Sequence, residues 1–327
     1  MGVAEAHWIG AVSFEDRGVS SLRRLDHSAA VAVSTATLVE YPTKLDGSDG
    51  EELRRAQRSA IRSICDADSI QQSSEIVHPY RSADLLGVLN RVSGSREPVV
   101  VDITCLTKVH KITVARWAYQ WSSELDIFLS YSKPERYLKP ASLGTTTQKW
   151  RDVVLAPMAD SRYESSSDAD EALDGEGDYG LLLLGHEGAR TRAAMSYLEL
   201  GPSLVIHTAE PGATEPVAED VVARTEHAML LAEIERGERL GWRVASCGVY
   251  DVNELLGLVR DWSDQLDGGR RVLLPYGPGP SIVAGTLGLL DSAPGSCWFL
   301  YPVPVSYDVN YSVVTAEVRW WKVRREG

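Results

Sequence analysis

The stretch "VVVDITCLTK", Val99 to Lys108, constrains the chain more than any other. Three β-branched residues in a row suit a strand buried on both faces, as in a parallel sheet covered by helices. That strand ends on an Asp, two Thr, a Cys and a Lys. Polar residues at the carboxyl end of such a strand lie where open α/β sheets take up ligands. A second stretch, "VLLPYGPGPS" from Val272 to Ser281, has the same form with a Gly/Pro turn in place of the polar cluster.

These two stretches belong to a longer recurrence. "HWIGAVSFEDRGVSSLRRL" near the start and "DYGLLLLGHEGARTRAAMSYL" past the middle each run strand, acid and Arg around a Gly, then helix. Glu15 and Glu187 stand 172 positions apart; Pro134 and Tyr137 recur 170 positions on as Pro304 and Tyr307. Between these marks, helix-period segments alternate with short β-branched runs, which is the pattern of a parallel, doubly wound sheet. Strands are predicted at 9–14, 30–34, 75–78, 99–103 and 126–131, with helices at 19–25, 51–64, 83–92 and 108–120. The second half repeats the series, with strands at 180–184, 204–207, 242–246, 272–274 and 298–301. The fold class is therefore α/β: two tandem Rossmann-like, mostly parallel doubly wound sheets related by internal duplication. The acidic, apolar-poor segment Ala159–Asp178 reads as a linker. This gives a first domain at 1–158, the linker at 159–178 and a second domain at 179–327. "SVVTAEVRWWKV" alternates like an antiparallel edge strand, and "WRDVVLAPM" is its counterpart in the first half.

Bulk properties narrow the function. With 44% hydrophobic residues a full core is available, and a net charge of -13 argues against general DNA or RNA binding. A local anion site on an acidic protein needs only a few cations and backbone N–H groups. No stretch approaches the ~20 apolar residues of a membrane helix, and the opening "MGVAEAHWIG" lacks the form of a signal peptide. The four cysteines are scattered with no CxxC pair, as expected for reduced thiols in the cytoplasm rather than a metal site. No cofactor is implied.

The candidate site residues fall after the strands. "DITCLTK" resembles the Asp-x-Thr-Gly-Gly-Thr-Lys pattern of CARF domains, Rossmann-like sensors of cyclic oligoadenylates in prokaryotic immunity; tandem units of this kind are also similar to SAVED domains. Asp102, Thr104, Thr107 and Lys108 stand at the matching positions, while Cys105 and Leu106 replace the two glycines. The resemblance implies that these four residues bind a nucleotide. Independently, a Lys and two Thr at a helix start suit an anion, although a Thr there also serves as an ordinary helix cap. Gly277, Gly279 and Ser281 hold the same place in the second half; the two glycines permit close backbone approach, or the stretch is a rigid turn between strand and helix. Glu15 and Glu187 suit ribose or base hydroxyls and Arg17 and Arg190 a phosphate, yet a Glu–Arg salt bridge explains the same letters. His186 beside Glu187 offers an acid/base pair. Tyr307 and Asn310 offer polar or stacking contacts.

Three readings follow. The first is a nucleotide-sensing protein of prokaryotic antiviral defence, its ligand a nucleotide such as a cyclic oligonucleotide held between the halves. It would act through a separate effector protein, since the repeat uses up both halves, and self-association is compatible with it. The second is a nucleotide-processing hydrolase, for which no Ser-His-Asp order or spaced carboxylate pair is evident. The third is a protein-interaction scaffold without a ligand.

Overall fold

The computed structural model describes residues 4–13, 15–28, 31–42, 47–137, 150–158, 178–185, 188–195, 199–209, 224–225, 227–304 and 312–324. In the first part of the chain these form β1 (Ala4–Val12), a 3-10 turn (Asp16–Val19), α1 (Ser20–Ser28), β2 (Val31–Glu40), α2 (Gly47–Ala67) and β3 (Gln71–Ile76). Then come α3 (Ser82–Ser93), β4 (Val99–Asp102), α4 (Lys108–Trp121), β5 (Ile127–Tyr137) and β6 (Trp150–Pro157). The later part holds β7 (Tyr179–Leu183), α5 (Gly188–Met195), β8 (Leu204–Ala209), α6 (Ala228–Glu235), β9 (Arg243–Gly248) and α7 (Val252–Ser263). It closes with β10 (Arg271–Pro275), α8 (Gly279–Ser292), β11 (Cys297–Pro304) and β12 (Ser312–Val323).

Two six-stranded sheets result, ordered β12-β5-β4-β1-β2-β3 and β6-β11-β10-β7-β8-β9. The orders are the same once β1–β5 are matched to β7–β11 in sequence. In both sheets every pairing is parallel except the outermost, where β12 joins β5 and β6 joins β11 antiparallel. The match extends to single bonds. His7 N donates to Pro98 O and Tyr179 N to Arg270 O, each 172 residues on; Val99 N donates to Asp126 O and Arg271 N to Ser296 O. The helices agree in length, 12 residues in α3 and α7 and 14 in α4 and α8.

The exchange of β6 and β12 was not legible in the sequence. Chain contacts divide the molecule into Met1–Thr147 with Val305–Gly327, and Gln148–Pro304. The strand at 150–157, grouped with the first half above, completes the second sheet, and the strand at 312–323 completes the first. Both alternate, so either suits the open side of a β5-type strand, and hydrogen-bond pairing decides between them. The segment 159–177, expected as a linker, lies outside the described residues.

Burial follows from the strand chemistry. Each residue of β4 ("VVVD") and β10 ("RVLLP") is buried, as helices on both faces require. Around β1, Trp8, Val12, Leu22, Leu38, Ile61 and Val100 form one core cluster, each large apolar side chain contributing about 1.5–3 kcal/mol on burial. Trp8 folds back over Gly10, where a Cβ would come 2.2 Å from the indole. By contrast β3, at the sheet edge, is "QQSSEI" and largely exposed, which suits an edge strand and explains why apolar patterning placed it four residues too late. In the second sheet, just before β7 and β10, Arg270 grips the buried Asp178 with two bonds of 2.7 and 2.6 Å and lies over the Trp298 ring.

Candidate ligand-binding edges of the two units

In each sheet the order reverses between the first and fourth strands, so the loops leaving their carboxyl ends flank a crevice. In the first unit these loops are 13–19 and 103–107. Gln57, from α2, ties the first loop down: its amide oxygen accepts from Ser13 N and its amide nitrogen donates to Glu15 O at 2.5 Å. Arg17 reaches across to β5, donating to Ser132 O at 2.7 Å, and pairs with the Glu15 carboxylate. The salt-bridge reading of Glu15 and Arg17 is thus the arrangement present.

Asp102 is turned inward. Its Oδ2 accepts from Ser21 Oγ, which itself accepts from the Trp8 indole N–H at 3.2 Å. Its Oδ1 accepts from Thr104 N at 2.8 Å and from the Thr104 hydroxyl. Thr104 Oγ1 in turn accepts from Ser132 N at 2.8 Å. Burial raises the pKa of Asp102, against the pull of its Ser21 and Thr104 hydrogen bonds. Asp102 and Thr104 therefore shape the loop after β4. Thr107 caps α4, accepting from His110 N at 3.3 Å while donating to Pro79 O at 2.6 Å. Leu106, which takes a glycine's place in the resemblance, is buried at 3% exposure.

One residue of this edge escaped the sequence reading. Lys111 stands one turn beyond Lys108 on α4, half-buried. Its ammonium makes one hydrogen bond, a long 3.4 Å contact to Thr104 O. Among the described residues no carboxylate lies within ion-pair distance of it. Burial draws its pKa down to about 8; Glu15, Cys105 and Asp102 oppose that shift and Arg17 adds to it. Cys105 beside it remains a thiol, pushed up by burial and by Glu15. The spacing of "KVHK" places Lys108 and Lys111 on one helix face, the signal from which Lys111 could have been found. Glu15, Arg17, Asp102 and Thr104 are brought together around it; Lys108 lies in the first helical turn, partly exposed.

The same corner is closed on its other side by His110. Tyr41 OH takes the Thr107 N–H at 3.4 Å and meets His110 Nδ1 at 2.9 Å, while His110 Nε2 meets Arg81 O at 3.2 Å. Burial lowers the pKa of His110 to about 4.

The second unit builds its edge differently. β7 ends near Gly185, where a Cβ would stand 1.7 Å from Tyr276 O, so only glycine allows this backbone approach. Gly277 and Gly279 bracket Pro278, the N-cap residue of α8, and no side chain caps that helix. Ser281 follows in the first turn with its Oγ buried and unpartnered. His227 Nε2 and Thr191 Oγ1 are likewise buried without a partner. Burial lowers the pKa of His227 to about 4, the backbone of Gly185 opposing and Arg192 reinforcing the shift. Arg190 lies in α5. His186, Glu187, Tyr307 and Asn310 lie outside the described residues.

No protein-family model and no curated protein matches the chain. Among solved structures it is similar to Can2 from Sulfobacillus thermosulfidooxidans in complex with cyclic tetra-adenylate, at TM-score 0.29 and 12% identity over 39% of this chain. That match spans about a third of Can2, 32% of its chain. A short-chain dehydrogenase/reductase variant from Serratia marcescens aligns at TM-score 0.26 and 10% identity, over 90% of this chain and 92% of that one. These overlaps are too slight to carry an argument. The fold assignment rests on strand order and register, which define a pair of doubly wound, Rossmann-like α/β units. No helix among the described residues is long and apolar enough to cross a membrane.

Proposed function

We propose that the first unit binds a small anionic ligand of nucleotide type at the carboxyl edge of β1 and β4. The observation that carries this reading is Lys111: a half-buried ammonium at the crevice with one long hydrogen bond and no carboxylate partner. A buried cation is ordinarily paired, and a phosphate oxygen would supply the missing charge. Lys108, one turn earlier, would meet the same anion from the rim. Asp102, Thr104 and Gln57 would hold the loops in place instead of touching the ligand. Gly277, Gly279 and Ser281 would serve a ligand in the second unit.

The finer reading is a sensor of a cyclic oligonucleotide in prokaryotic antiviral defence, signalling through a separate effector protein. Its support is the "DITCLTK" match at Asp102, Thr104, Thr107 and Lys108. Mass spectrometry of small molecules released from the purified protein tests the proposal. A retained nucleotide, or one captured from a panel of mono-, di- and cyclic oligonucleotides and recovered intact, is the expected result. Recovery of cleaved products would move the reading to a hydrolase, and no capture across the panel would favour a scaffold.

A further inference from the structure

The duplication allows α4 and α8 to be compared turn by turn, and their N-termini are finished in opposite ways. In α4 the cap is Thr107, which takes the His110 N–H, and the third residue, His110, is bonded on both ring nitrogens. In α8 the cap position is Pro278, with no side-chain bond, and the third residue is Ser281. The first helical bond runs from Ile282 N to Pro278 O, so the N–H groups of Gly279 and Ser281 have no helical acceptor. Pro280 between them carries no N–H to compete.

A buried helix end without a cap is uncommon, because each lone N–H and hydroxyl forfeits the hydrogen bond it had in water. Here Gly279, Pro280 and Ser281 are all buried. The Ser281 side chain stands against the Gly277 turn, its Cβ 3.5 Å from where a Gly277 Cβ would be. Ser281 Oγ is unpartnered at 1% exposure, as are Thr191 Oγ1 at 1% and His227 Nε2 at 2%. Gly185 joins these parts: its backbone abuts Tyr276 and Gly277 on one side and acts on the His227 ring on the other.

We infer that the second unit carries an oxyanion site at the N-terminus of α8, formed by the Gly279 and Ser281 N–H groups with Ser281 Oγ. The chemical class is a tetrahedral oxyanion, such as free phosphate or the phosphate of a nucleotide, because the site offers converging donors and the positive end of a 14-residue helix. This site rests on the reading given above for Gly277, Gly279 and Ser281, and it stands or falls apart from Lys111 in the first unit.

The test is an amide NMR titration of the full chain with inorganic phosphate, and in parallel with a nucleoside monophosphate. Saturable shifts at Gly277, Gly279 and Ser281 are expected. Ser281→Ala should weaken binding by about tenfold, the size of one lost charge-assisted bond. Tighter binding of the monophosphate would identify a nucleotide as the source of the anion; equal binding would identify free phosphate. Ser281→Gly is the second variant should Ser281→Ala misfold, with weakened binding again expected. Absence of saturable shifts with both probes, or the same affinity in wild type and variants, would overturn the site. So would a crystal structure grown in phosphate in which an internal water alone satisfies Ser281 Oγ.

Discussion

Acidification should loosen the first unit through His110. In the folded chain Thr107 N–H donates to Tyr41 OH, which donates to His110 Nδ1, while Nε2–H donates to Arg81 O. That order needs a neutral ring. A proton on Nδ1 sets two donors against each other in a place burial has already made hostile to charge, hence the lowered pKa of about 4. In the unfolded chain His110 has its ordinary value of 6.5, so the unfolded state takes up the proton first. The stability due to the neutral ring is complete above pH 6.5. It is lost as pH falls towards 4 and levels off below. A shift of this size, at 1.36 kcal/mol per unit, is about 3 kcal/mol in all and about 2–3 kcal/mol by pH 4.5. Urea unfolding of wild type and His110→Gln at pH 7 and pH 4.5 isolates it, since Gln keeps a donor and an acceptor but does not titrate. The variant should lose less stability between the two pH values, by about that amount, although His227 and the carboxylates titrate in both proteins. Equal losses would refute the reasoning.

Three more outcomes are expected. Gly185→Ala forces a Cβ against the Tyr276 carbonyl and should destabilise the second unit by about 1–3 kcal/mol or more, seen as a lowered thermal midpoint. Arg270→Ala strips Asp178 of its bidentate partner and should cost about 3–5 kcal/mol, with Asp178→Asn in the same chain recovering part of it. Fragments 1–158 and 159–327 each lack the outer strand of their own sheet, so they should co-purify on co-expression and aggregate apart; two stable monomers on size exclusion would contradict the strand exchange.

Much of this fold could be read from local chemistry, because β4 and β10 are apolar on both faces and α4 and α8 follow them at once. What escaped had no local signature. The polar β3 carries little apolar pattern. β6 and β12 share the same alternation, and only pairing tells which sheet each one joins. At the site, Asp102 was visible as an acid ending an apolar strand. Its inward role depends on Ser21, 81 residues away, brought beside it by the fold. Lys111 was overlooked because the seven-residue resemblance stops at Lys108, and its exposure and pairing are settled only by the loops packed over it.

The central claim is that Lys111 awaits an anion, and calorimetry of the full chain against the nucleotide it captures best tests this most directly. At pH 7 Lys111→Met should weaken binding by roughly ten- to a hundredfold, the worth of a charge-assisted hydrogen bond at about 1.5–3 kcal/mol. With its pKa near 8 in the free protein, the lysine must take up a proton to bind at higher pH. Wild-type affinity should therefore fall by about fivefold from pH 8 to pH 9, and the variant should show no such fall. Equal affinities in the two proteins, or the same pH profile in both, would contradict the account.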